Sequence, residues 1–249
     1  MERSIRVQAL VLSHNNFGEA DRYIKLLTSD RGKISAIARG VRKLSSRKAG
    51  HLEPFTWVNA QLSRGNGSAW IIGQVSTLES FSGLVCDLDT TCSAAYVTEL
   101  ADKFTEEEVT SREIYQLTLE TIRQLAKGGD EFPVLKAFEL KLLDLAGYRP
   151  QLRNCVRCDA EIQPCDQYFS NAGGGVVCPG CVGKESGARP ISMRSLKFFR
   201  YYQRNGFRAV CQVGWPQELR AESDSILGDY LTYILERQIN SRVFRRKIG

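Results

Sequence analysis

The sequence predicts an α+β multidomain protein: an N-terminal five-stranded OB-type β-barrel, a helical bundle and a four-cysteine zinc module. Three observations carry that reading. Short alternating apolar runs separated by glycine-bearing turns fill residues 1–80. Apolar positions recurring every three to four residues fill 84–150. Two Cys-x-x-Cys pairs then fall within 155–181. The expected boundaries are 1–80, 81–150, 151–186 and 187–249, the last stretch supplying C-terminal helices that pack on the helical domain.

The barrel elements come first. Ile5, Val7, Ala9 and Val11 alternate as one strand. Tyr23–Leu27 and Ile34–Ala38 form the next two, joined by Ser29-Asp30-Arg31-Gly32, whose glycine tolerates the positive φ of a tight turn. Phe55–Leu62 and Ala69–Val75 form the last pair, with Arg64-Gly65-Asn66-Gly67 as the hairpin signal between them. Five strands with a longer insert between the third and fourth suit an OB-fold, with an SH3-like barrel as the competitor.

The helical elements follow. Ala94, Val97, Ala101 and Phe104 share a face. Thr110-Ser111-Arg112-Glu113 reads as a capping box ahead of Ile114, Leu117, Thr121 and Leu125. Lys127-Gly128-Gly129 ends that helix, and Pro133 suits the first turn of a third, whose stripe is Leu135, Phe138, Leu142, Leu143 and Ala146. Gly128-Gly129-Asp130-Glu131-Phe132 spells the diguanylate cyclase signature. In that family it occupies a β-hairpin, whereas here a helix stop, a cap and a helix start account for every residue. Two more helices are expected over about 192–205 and 224–240, the second with Leu227, Leu231, Ile234 and Gln238 on one stripe.

Composition narrows the class. The 249 residues are 43% hydrophobic and 25% charged, which excludes wholesale disorder and fibrous repeats. No stretch approaches ~18 consecutive apolar residues, and the N-terminus lacks the pattern of a signal peptide. A cytoplasmic location is therefore expected, with no membrane partner. The net charge is +6, distributed unevenly. Residues 1–80 hold 12 basic and 6 acidic side chains, 81–150 hold 7 and 13, and 151–249 hold 15 and 9. Basic ends flanking an acidic middle point to a polyanion.

Cys155-Val156-Arg157-Cys158 and Cys178-Pro179-Gly180-Cys181 are separated by 19 residues. Two intervening residues let both sulfurs of a pair reach one ion, and the loop brings the second pair across. Four thiolates leave no open coordination position, so the expected Zn²⁺ is structural. It stands in for a core that ~35 residues hardly build alone. Cys165 is a spare.

Arg22, Lys25, Arg31, Lys33, Arg39, Arg42, Lys43, Arg47 and Lys48 fall within 27 positions, with Asp30 as the acid inside that stretch. Such a cluster neutralises phosphates and releases counterions. Phe17, Tyr23, Phe55, Trp57 and Trp70 suit either base stacking or the core, and burial is the commoner fate of large apolar residues. Arg189, Arg194, Lys197, Arg200, Arg204 and Arg208 form a further basic run, and Arg242, Arg245, Arg246 and Lys247 a basic tail. Arg194 and Lys197 are the DNA-contact candidates of that region. Glu106-Glu107-Glu108 reads as a solvated turn. No P-loop, His-Glu-x-x-His or Gly-x-Ser-x-Gly pattern occurs, so binding energy rather than catalysis is expected.

Several blocks carry a family resemblance. Gly18-Glu19-Ala20-Asp21-Arg22, Thr28-Ser29-Asp30-Arg31-Gly32-Lys33, Ala38-Arg39-Gly40-Val41-Arg42-Lys43 and Leu52-Glu53-Pro54-Phe55 resemble the start of RecO, the bacterial recombination mediator family. Phe138-Glu139-Leu140, Leu142-Leu143 and Gly147-Tyr148-Arg149-Pro150 resemble the helix leading to that family's cysteine module. The resemblance implies an OB-fold, a helical domain and a zinc module. It implies binding of single- and double-stranded DNA and annealing of complementary strands without ATP. It also implies partnership with RecR and single-strand-binding protein, a functional link to RecA, and a place at the nucleoid. An RNA-binding module with a zinc ribbon is the rival reading, and a metal-dependent nucleic-acid enzyme is a second.

Overall fold

The structure is a computed structural model that describes residues 4–64, 69–85 and 87–236. It divides into two compact units, with the division between Gly129 and Asp130.

In the first unit, β1 (Ser4–Phe17), β2 (Asp21–Thr28), β3 (Gly32–Ala38), β4 (Trp57–Arg64) and β5 (Trp70–Glu79) form a closed barrel in the order β1-β2-β3-β5-β4. The β3–β5 pair is parallel and the other pairs are antiparallel. That order is the OB arrangement, and it settles what strand counting left open. β1 closes the barrel because it is long enough to serve two neighbours. Its first half pairs with β4, its second half with β2, and a register shift between Val11 and Ser13 bends it. Inward alternation fills the core with Ile5, Val7, Ile24, Leu26, Ile34, Val58, Leu62 and Ile72. The expected Arg64–Gly67 turn lies largely outside the described residues.

Among the described residues, two α-helices belong to this unit: α1 (Leu88–Lys103), capped by Asp87, whose side chain accepts from Thr90 N–H, and α2 (Arg112–Ala126). Both helices reach the barrel wall, α1 at β1 and α2 at β2. Leu10, Leu12 and Leu27 stand outside the barrel core and are fully or nearly fully buried. The capping box does not form. Ser111 is the N-cap and its hydroxyl donates to Val109 O, while Thr110 Oγ1 donates to Asp30 O 3.0 Å away.

The acidic run is exposed, as expected of a solvated turn, but two of its members are also bonded to β3. Glu108 N–H donates to Lys33 O, and Glu107 accepts from both the N–H and the hydroxyl of Ser35. Gly32, at φ +66°, makes this strap possible, since a Cβ there would lie 1.9 Å from Val109 O.

The second unit holds α3 (Glu131–Leu145), β6 (Gln167–Ser170), β7 (Gly175–Val177), β8 (Arg189–Ile191), α4 (Met193–Arg204), α5 (Phe207–Cys211) and α6 (Gln217–Leu235). The helical stretch 81–150 is thus split: α1 and α2 go with the barrel, and α3 packs with α4, α5 and α6. The break falls at Gly128-Gly129, whose φ values of +75° and +103° end one helix. Asp130 then caps the next by accepting from Phe132 N–H, as read for the cyclase-like pentapeptide. Trp215 is the aromatic hub of the bundle, with Phe132, Phe198, Phe199 and Tyr202 within 5.8 Å centroid to centroid. Lys136 is fully buried and is neutralised by Glu139 and by Asp224 at 2.9 Å. α6 starts seven residues before the expected helix, directly after Pro216.

Candidate nucleic-acid interface and metal centre

Three stretches far apart in sequence meet at one end of the barrel. Gly40 N–H donates to the Asp21 carboxylate at 2.7 Å, and Arg42 N–H donates to Ala20 O at 2.9 Å. The Arg42 guanidinium donates to Glu19 O at 3.1 Å. These bonds tie the loop after β3 to the β1–β2 turn. Glu53 accepts from Arg22 at 3.0 Å and lies 3.1 Å from His14 Nε2. Burial pushes the Glu53 carboxyl up, but His14 and Arg22 outweigh it and hold it below its ordinary value. Phe55 N–H donates to Val11 O, and Leu52 is fully buried.

This scaffold presents Arg39, Arg42, Lys43 and Arg47 to solvent, with Lys48 half-buried. Beside the β1–β2 turn, the Phe17 and Tyr23 rings lie 4.4 Å apart centroid to centroid, tilted by 54°, and are 43% and 40% exposed, a proportion that leaves ring surface open.

The other cations of the cluster are engaged within the fold. Lys25 Nζ lies 2.6 Å from Asp102 of α1, and Lys33 Nζ 2.9 Å from the same carboxylate. Burial would raise the Asp102 carboxyl, but the two lysines outweigh it and hold it low. Arg22 is bound to Glu53. Arg31 is exposed at the β2–β3 turn and makes interactions of its own. The tryptophans are also committed. Trp57 Nε1–H donates to Tyr115 and Arg123 lies over the ring, while Trp70 Nε1–H donates to Glu108 under Arg64. Sequence reasoning missed this role of Glu107 and Glu108. A run of like charge reads as solvated unless a folded partner is known.

In the second unit, Arg194 pairs with Glu218 at 2.8 Å, and Lys197 is exposed on α4. Arg189 pairs with Asp229, and Arg200 donates to Leu152 O at 2.7 Å. The basic tail lies outside the described residues.

The cysteine pairs converge as their spacing implies. The Sγ atoms of Cys155, Cys158, Cys178 and Cys181 all lie within 4.8 Å of one another. Those of Cys158 and Cys178 are 3.9 Å apart. Metal–sulfur bonds near 2.3 Å give a tetrahedron edge of about 3.8 Å, so the donor set fits a thiolate-bound ion. Each knuckle is a tight turn: Asp159 N–H donates to Cys155 O, and Cys181 N–H to Cys178 O, both at 2.9 Å. Strands β7, β6 and β8 form a small antiparallel sheet behind the cluster. Gly175 lets the Gln151 backbone pair against it, since a Cβ there would lie 2.3 Å from Gln151 O.

Burial pushes the Cys155 thiol up, but N–H groups of Cys178, Cys158 and Arg157 outweigh it and bring it down to about 6. Cys181 is pushed up to about 12 by the sulfurs of Cys178 and Cys158. Crowded sulfurs resist full ionisation together, and a cation removes that repulsion. Glu185, accepting from Ser170 and Arg157, ties the sheet to the first knuckle. Cys165 is exposed, accepts from Gln167 Nε2 and stands outside the cluster.

The chain matches two family models over nearly its whole length: "Recombination protein O N terminal" at residues 1–81 and "Recombination protein O C terminal" at 86–243. A protein named DNA repair protein RecO from Roseiflexus sp. is 38% identical over 243 residues, covering 98% of this chain and 85% of its own length. Proteins of the same name from Dehalococcoides mccartyi and Symbiobacterium thermophilum are 34% and 35% identical, covering 94% and 96% of this chain and 91% and 95% of their own lengths. No helix among the described residues is long and apolar enough to cross a membrane.

Proposed function

The chain belongs to the RecO family of DNA repair and recombination proteins, and on that premise we propose that it is a non-enzymatic recombination mediator. It binds single- and double-stranded DNA, anneals complementary strands without ATP and, with RecR, assists RecA loading on strands coated by single-strand-binding protein. It acts in the cytoplasm, at the nucleoid.

One observation carries the DNA reading. The bonds that join the β1–β2 turn to the loop after β3 consume backbone groups, Asp21 and part of the Arg42 guanidinium, and they leave Arg39, Arg42, Lys43 and Arg47 exposed on a loop anchored beside an exposed aromatic pair. Phosphates are neutralised by the cations, and bases stack on Phe17 and Tyr23. Annealing follows from electrostatics. Complementary strands repel each other, a basic surface lowers that barrier, and base pairing supplies the specificity. Arg39, Arg42, Lys43, Arg47 and Lys48 are the principal phosphate ligands, and Arg31, at the opposite end of β3 in the β2–β3 turn, is a separate contact. Lys25, Lys33 and Arg22 contribute chiefly by holding the barrel. Arg194 and Lys197 form a secondary contact.

The ion at Cys155, Cys158, Cys178 and Cys181 is zinc, held structurally. When bound it supplies charge compensation and cross-linking to the small sheet. A divalent ion bound there would offset half the charge of the four thiolates, and the thiol of Cys155 is already prepared to ionise.

Replacing Arg39, Arg42, Lys43, Arg47 and Lys48 with alanine should flatten the salt dependence of single-strand binding by roughly 0.7 for each phosphate the variant leaves unneutralised. Annealing as fast as the parent protein at every salt concentration overturns the placement.

A further inference from the structure

A second surface of the barrel faces away from the core on β1, β4 and β5. Arg6 pairs with Gln61 across the β1–β4 ladder and Gln8 with Asn59, while the intervening Val7, Val58, Ala60 and Leu62 are buried. Alternation therefore makes the outer face polar. It forms the floor of a cleft of about 570 Å³, walled by Arg47, Lys48 and His51. His51 Nδ1 lies 2.7 Å from Thr77 Oγ1, and Lys48 Nζ donates to Ile72 O, so the wall is fastened to β5. The ladder slips register between Ala60 and Leu62, beside Gly73 and Gln74, and widens the floor.

The chemistry of the lining is selective. Two arginines, a lysine, a histidine and three side-chain amides line it, and among the described residues no carboxylate does. No Phe, Tyr or Trp among them lines it either, so the lining lacks the broad rings on which successive bases stack. Guanidinium, ammonium and amide donors without such rings suit a sugar–phosphate backbone. The Phe17–Tyr23 surface is its chemical opposite, with rings for unpaired bases.

One loop serves both. Gly40 and Arg42 are bound to the β1–β2 turn, whereas Arg47 and Lys48 wall the cleft. We propose that this cleft is a second DNA site, taking the phosphodiester backbone of a second strand while the Phe17–Tyr23 face holds the first. The inference rests on the DNA-binding function proposed for the chain and adds that the barrel grips two strands at separate places. The loop at 39–48 brings their phosphates near each other.

The test uses the full chain loaded with metal and two oligothymidine strands that cannot pair, one carrying a donor dye and the other an acceptor. Energy transfer then reports two strands on one protein, and anisotropy reports the first strand. Asn59→Asp with Gln61→Glu places two carboxylates in the cleft at almost unchanged shape. It should leave first-strand affinity within about twofold, abolish energy transfer and slow annealing of complementary strands about tenfold or more, as expected when carboxylates repel the phosphates the cleft would hold. Arg6→Ala should move the same readouts in the same direction by less. Arg39→Ala with Lys43→Ala should instead weaken the first strand. Parent-like transfer and annealing in both cleft variants overturn the second site. An equal fall in first-strand affinity also overturns it, since the cleft then belongs to a single track. If the parent chain itself binds neither strand, the DNA reading fails first and takes the cleft with it.

Discussion

The barrel and the cysteine module are both small β structures, and they are stabilised in opposite ways. The barrel closes on itself, buries a continuous apolar core and has no free edge. The module has three strands of four, three and three residues, and its sheet is open. It depends on four sulfurs and on Glu185 accepting from Ser170 and Arg157. A self-sufficient core frees surface cations for a partner, whereas a region without one spends its charges on holding together. Even inside the barrel unit the rule holds locally. Lys25 and Lys33 face α1 and are paired, while the cations after β3 face solvent.

The contrast breaks most visibly on removal of the metal. Chelation, or Cys155→Ser, should cost the module on the order of 10 kcal/mol of folding free energy. Hydrogen exchange should then lose protection over 151–191 while residues 4–64 keep theirs. A protected module without metal shows instead that Phe169, Val176, Val177 and Ile191 suffice as a core.

A smaller effect separates exposed from committed aromatics. Phe17→Ala and Tyr23→Ala should each weaken single-strand binding by about 1–3 kcal/mol through the missing stacking, with the melting midpoint nearly unchanged. Trp57→Phe should do the reverse, lowering stability by about 1 kcal/mol because its hydrogen bond to Tyr115 is gone, while binding holds. If Trp57 rather than Phe17 governs affinity in the titration, the stacking surface has been misplaced.

The smallest effect is a pH dependence. Lys25 and Lys33 hold the folded Asp102 carboxyl below its unfolded value. The unfolded chain therefore binds the proton first on acidification. The stabilisation is complete above the unfolded value of about 3.9 and is lost as pH falls through the lower folded one. Asp102→Asn should remove about 1 kcal/mol at neutral pH and flatten the acid limb of the unfolding curve. An unchanged acid limb shows that the pair contributes nothing.

Much of this was legible in the residues themselves. The strand runs around Val7, Ile24 and Ile34 follow a period of two because one side of each must enter the core. The Cys-x-x-Cys spacing announced four converging sulfurs because a knuckle is a local turn. The capping of α3 by Asp130 was equally local. Other features were not legible. The seven extra residues of α6 follow Pro216 without the apolar stripe that marks its second half. The break between α2 and α3 separated helices that the sequence pattern alone groups together, because periodicity shows that a face is buried but not against what. The Thr110 capping box lost to a longer-range bond with Asp30.

Local chemistry by itself determined the strands of the barrel, the main helices and the knuckles, though not the short strands β6, β7 and β8 or helix α5, and that cations crowd between positions 22 and 48. Which of those cations are neutralised was decided only when the chain closed. Asp102 and Glu107 lie some seventy positions from the lysines and the serine they meet, and Glu53 lies thirty-one from Arg22. Charge pairing is a matter of distance in space, and sequence spacing reports that distance only within a single turn of helix or a single hairpin.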